Sequence, residues 1–126
     1  MRLTKAERDH VRGMFGGRCA YCGEELASRW HADHIEPVVR GAWIGKPPER
    51  PDNHRLNNMM PSCARCNISK GSMSLEFWRG WIAKHVESLN QHHSIYRVVK
   101  SFGLVAETGK QVKFYFECAT PPKGEE

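Results

Sequence analysis

Two Cys-x-x-Cys pairs, Cys19-Ala-Tyr-Cys22 and Cys63-Ala-Arg-Cys66, constrain this chain more than any other feature. Two residues between cysteines let both thiolates reach one tetrahedral ion, so each pair can supply two corners of a four-sulfur site. Such a site ties together stretches roughly 40 residues apart. The ion it predicts is a structural zinc, because four thiolates fill the coordination sphere and leave no position for substrate. Iron–sulfur and thioredoxin-like readings fit less well, since two matched pairs are present and no buried strand precedes them. A fifth cysteine, Cys118, is left over and reads as a small buried hydrophobe.

At 126 residues the chain suits one domain, taken as residues 1–120 with a loose tail at 121–126. A chain this short builds one modest core, and a metal helps hold it. The formal charge is +5 and the pI about 9.1, which favours a polyanionic partner such as nucleic acid. No apolar run approaches the ~20 residues needed to cross a bilayer, so no membrane role is expected. The charged start, Met-Arg-Leu-Thr-Lys, lacks the apolar core of a signal peptide. The protein therefore reads as intracellular and cytoplasmic, where reducing conditions favour metal-binding cysteines over disulfides.

Local signals place the elements. Thr4-Lys-Ala-Glu7 has capping-box spacing and predicts a helix over 5–15, stopped by Gly16-Gly17. Lys5, Arg8 and Arg12 share one side of it and suit either a phosphate backbone or plain solvent. Residues 28–40 read as extended, with Pro37 at a corner between two short strands. Residues 41–54 read as a polar, Pro-rich loop inserted within the domain. A short helix should run from Cys63 or Ala64 to Lys70, closed by Gly71. Leu75, Trp78, Ile82, His85 and Leu89 repeat at helical spacing and predict an amphipathic helix over 74–89, its tryptophans in the core and His85 partly buried. A second helix is expected over 95–102, and alternation at Val112, Phe114 and Phe116 predicts a terminal strand over 111–117.

Between the cysteine pairs lies Asp33-His34-Ile-Glu-Pro37, and Asn67 follows the second pair directly. A carboxylate is a hard oxygen donor suited to magnesium or manganese. An imidazole changes protonation near neutrality and can take a proton from water. Neighbours on a strand face opposite ways, so the two serve one site only if the strand ends there.

The ordered set Cys-x-x-Cys, Asp-His-Ile-x-Pro, an Asn five residues before the second Cys-x-x-Cys, and Asn-x-x-Lys-Gly resembles the HNH endonucleases. The resemblance runs from Cys19 to Gly71, and the end of the chain looks like small stand-alone HNH proteins of phage type. It implies an α+β fold: a zinc-stabilised treble-clef, ββα-metal core flanked by an N-terminal helix, C-terminal helices and a terminal strand. It also implies roles. His34 would be the general base, Asp33 and Asn67 the ligands of a catalytic divalent ion, and Asn58, with Asn57 adjacent, the residue bracing His34. Cys19, Cys22, Cys63 and Cys66 would hold the zinc. Lys70 would lie near the phosphates, and basic residues including Arg65 would grip the DNA backbone. The implied activity is hydrolysis of DNA phosphodiester bonds to leave 5′ phosphates, with magnesium, manganese or nickel as the ion. The rival is a treble-clef zinc module that binds nucleic acid without cutting it. Strand count per event, target sequence and oligomeric state have no signature in the residues.

Overall fold

The structure is a computed structural model that describes residues 3–35 and 58–119. The Pro37 corner, the strand expected after it, the 41–54 loop, Asn57 and the 121–126 tail lie outside the described residues. Two compact units are present, one made of Met1–Leu75 with Lys113–Glu126, the other of Glu76–Val112.

The first unit opens with α1, Lys5–Gly13. The capping box forms as its sequence dictates: Thr4 Oγ1 accepts from the Glu7 amide at 3.1 Å, and the Thr4 amide donates to Glu7 Oε1 at 2.8 Å. The helix stops two residues earlier than its pattern suggests, where the Met14 amide tightens onto the Val11 carbonyl. Val11 is fully buried beneath it. The basic side has internal partners: Arg8 stacks 4.4 Å from the Trp30 ring centroid, Arg12 donates to the Leu26 carbonyl, and Lys5 pairs with Asp9.

A two-stranded antiparallel sheet follows, β1 (Trp30–His34) against β2 (Met59–Cys63). Its register sets Trp30 opposite Cys63 and His34 opposite Met59. Residues 59–63 therefore form a strand that no local sequence signal announces. Pro61 obscures the signal, because proline cannot donate within a ladder. It is tolerated here because its carbonyl faces away from β1 and accepts from the Ala20 amide at 2.8 Å. The first cysteine knuckle thus docks on the outer edge of β2.

Directly after β2 comes α2, Ala64–Lys70, closed by Gly71 at φ 53°. Seven helical residues rise about 10 Å, close to the ~13 Å of a five-residue strand. The last turn of α2 therefore comes level with the far end of β1, where Asp33 and His34 sit.

The expected terminal strand is absent. Residues 115–118 form a single helical turn, α5, Tyr115–Cys118. Consecutive amides at Tyr115 and Phe116 both donate into the first knuckle, to the carbonyls of Tyr21 and Ala20. A strand points successive amides in opposite directions, so this double contact requires the turn. Phe114 is buried and packs edge-on to Tyr21, with centroids 5.6 Å apart. Gly23 must be glycine here: its φ is 81°, and a Cβ would meet the Tyr115 ring at 3.0 Å. Cys118 is exposed, not buried as expected, because α5 turns it outward.

The second unit holds most of α3 (Leu75–His92) and all of α4 (Ser94–Ser101). Trp78 is buried, whereas Trp81 and His85 are exposed and lie against each other one turn apart, 4.2 Å between centroids. Lys100, Asn90 and Tyr96 converge on the Glu107 carboxylate and fix the returning segment. No helix among the described residues is long and apolar enough to cross a membrane.

Candidate functional site

The sulfur cluster forms as the spacing requires. Ligand atoms of Cys19, Cys22, Cys63 and Cys66 all lie within 4.8 Å of one another. Zinc–sulfur bonds of about 2.3 Å give a tetrahedron with edges of about 3.8 Å. The Cys22–Cys63 sulfur separation is 3.8 Å, so this edge of the cage has the length a zinc site requires. The knuckle backbones contribute too, with the Tyr21 amide on Cys19 Sγ and the Cys66 amide on Cys63 Sγ, both 3.4 Å. Crowding shows in the thiols themselves. A hydrogen bond from Cys66 pulls Cys19 down to about 4, and burial pushes Cys22 up to about 11. Four sulfurs this close become thiolates together only around a cation.

Asp33 occupies the next-to-last position of β1 and is 7% exposed. Its Oδ2 receives two donors: the Tyr21 hydroxyl at 2.6 Å and the Lys70 ammonium at 3.1 Å. Its Oδ1 takes no hydrogen bond among the described residues. Burial, with the Asp33 charge next in weight, raises the Tyr21 phenol far above its ordinary range. The phenol is therefore a permanent donor at any working pH.

Lys70 is buried to 1% exposure, and its ammonium also donates to the His34 carbonyl at 2.8 Å. The sequence expectation set this lysine near the phosphates. The fold instead turns it inward, because the last turn of α2 lies over the end of β1. One cation thus ties α2 to both members of the Asp33-His34 pair.

His34 is the last residue of β1 and is half-buried. Asn58 sits beside it across the hairpin: it precedes Met59, the partner of His34, and its carbonyl accepts from the Ile35 amide at 2.9 Å. Asn58 is 3% exposed. Asn67 lies one turn before Lys70 on α2, and its side chain makes no hydrogen bond among the described residues. Residues three apart are neighbours on a helix surface, so Asn67 borders the face that Lys70 turns toward Asp33. A carboxylate oxygen and an amide oxygen, neither taking a hydrogen bond among the described residues, are donor types that suit a hard divalent cation.

Arg65 belongs elsewhere. It lies at the opposite end of α2, its side chain is exposed, and it pairs with Glu24. An open groove of ≈ 830 Å³ runs there, lined by Arg18, Arg29, Arg65, Glu24 and Glu25 beside Cys63. Sequence reasoning missed Arg18 and Arg29, which carry no motif. It also missed Tyr21, which reads as filler between two cysteines.

A family model described as HNH endonuclease covers residues 19–73. No curated protein and no solved structure matches.

Proposed function

We propose that this chain, whose residues 19–73 match an HNH endonuclease family model, is a metal-dependent nuclease that hydrolyses phosphodiester bonds in DNA and leaves 5′ phosphates. One observation carries the reading: Asp33 is buried beside His34, with one carboxylate oxygen committed to the protein and the other taking no hydrogen bond among the described residues. Asp33 and Asn67 would hold a magnesium, manganese or nickel ion. When bound, that ion supplies positive charge to offset the charge that builds on the scissile phosphate.

The chain's own residues do the rest. His34 accepts a proton from water as the water oxygen attacks phosphorus. The bond to the 3′ oxygen breaks, and that oxygen takes a proton from solvent. Asn58 braces the strand end that carries His34. Lys70 and Tyr21 hold Asp33 in place. Arg65 and its neighbours in the open groove meet backbone phosphates, which carry no sequence information, so selectivity for sequence is low.

The test is supercoiled plasmid incubated with the purified protein, with and without magnesium, manganese or nickel. The His34→Ala protein should lose about 10²–10⁴-fold in cleavage rate and keep its DNA binding. Near-normal cutting by that variant would remove His34 from the role. A second reading draws on the Asp33–Lys70 ion pair, which also suits a purely structural aspartate. In that case the chain is a zinc module that binds nucleic acid, and the wild-type protein cuts under none of the ions.

A further inference from the structure

The charge around Asp33 has a consequence for how the ion arrives. Asp33 and Lys70 are 8% and 1% exposed at their side chains and lie 3.1 Å apart, so the carboxylate charge is already balanced by a buried cation. The other candidate ligand, Asn67, is a neutral amide. The protein thus offers a divalent ion one oxygen of a neutralised carboxylate, one amide, and an ammonium of like sign close by. An ion held by the other Asp33 oxygen would have that ammonium as a near neighbour, and like charges repel strongly where water is excluded.

The phosphodiester supplies what is missing. It brings one negative charge and hard oxygen atoms to the same place. Building on the nuclease reading above, we infer that the divalent ion and the DNA phosphate bind this site cooperatively, and that Lys70 sets this dependence by suppressing ion binding to the free protein. Tyr21 contributes geometry without charge, since its donor falls on the same oxygen as the ammonium. Lys70 acts here as a positioning residue that makes ion uptake conditional on substrate.

Coupling of this kind is reciprocal: the factor by which DNA tightens the ion equals the factor by which the ion tightens DNA. The test uses the full chain with its zinc retained. Affinity for a short fluorescent duplex is measured by anisotropy with and without Mn²⁺. Uptake of Mn²⁺ alone is followed by electron paramagnetic resonance. The wild-type protein should bind the duplex at least tenfold tighter with Mn²⁺, and should take up Mn²⁺ alone only weakly. The Lys70→Met protein should take up Mn²⁺ alone at least tenfold more tightly than wild type, and Mn²⁺ should raise its Tm by a larger increment. The wild-type coupling measurement stands even if the Lys70→Met protein does not fold. Equal duplex affinity with and without Mn²⁺, or unchanged Mn²⁺ uptake by a folded Lys70→Met protein, overturns the inference. If plasmid is cut while coupling is absent, only this inference falls. If no Mn²⁺ is taken up with or without DNA and no plasmid is cut, the nuclease reading falls with it.

Discussion

At Asp33 a neutral donor and a charged one converge on a single oxygen, and only the charged partner has a sequence signature. Lys70 stands in the Asn-x-x-Lys-Gly run, so its importance is legible, though not its inward direction. Tyr21 has no such mark, because the hydroxyl meets Asp33 only after the knuckle has docked on β2. Hydrogen bonds to charged groups contribute about 1.5–3 kcal/mol. Tyr21→Phe should therefore cost about that much in denaturant unfolding, and should also slow plasmid cleavage. An unchanged cleavage rate in a measurably destabilised Tyr21→Phe protein would mean that the phenol only stabilises the fold. Asp33, His34 and Asn67 were readable from order and spacing. The inward turn of Lys70 onto Asp33 and the His34 carbonyl was not, because it depends on how far α2 rises against how far β1 extends.

Among the elements, α1 and α2 follow their local signals closely, from the Thr4–Glu7 box to the turn at Gly71. Those signals act over three or four residues and need no tertiary partner. The segment at 111–118 failed the same kind of reading, because alternating aromatics suit a strand until two successive amides must reach the carbonyls of Ala20 and Tyr21. The metal cage makes a prediction at this scale. Removing zinc with a strong chelator should strip hydrogen-exchange protection from β2 and α2, whose ends both carry zinc ligands. α3 and α4 belong to the other unit and should keep most of theirs. Uniform loss across both sets of helices would show that the units do not unfold separately. Protection retained in α2 without zinc would remove the cage from its scaffold role.

For the whole molecule, the charge of +5 leaves the binding surface unspecified, and the fold assigns much of that charge elsewhere. Arg8 and Arg12 have internal partners and Lys70 is buried. Arg29 makes no hydrogen bond among the described residues and lines the open groove beside Cys63. That groove lies at the Trp30–Cys63 end of the hairpin, and His34 lies at the other. Four strand steps separate them, roughly 13 Å, about the rise of four base pairs. Arg29→Ala should weaken DNA binding alike across sequences and lower the slope of log affinity against log salt by about 1. An unchanged slope would place the grip on another face. The phenol of Tyr21 leaves one last consequence, because it stands between two of the residues that cage the zinc. Withdrawing that metal frees the knuckle, and with it the hydroxyl that holds Asp33, so the proposed cleavage should rise and fall with the metal content of the preparation.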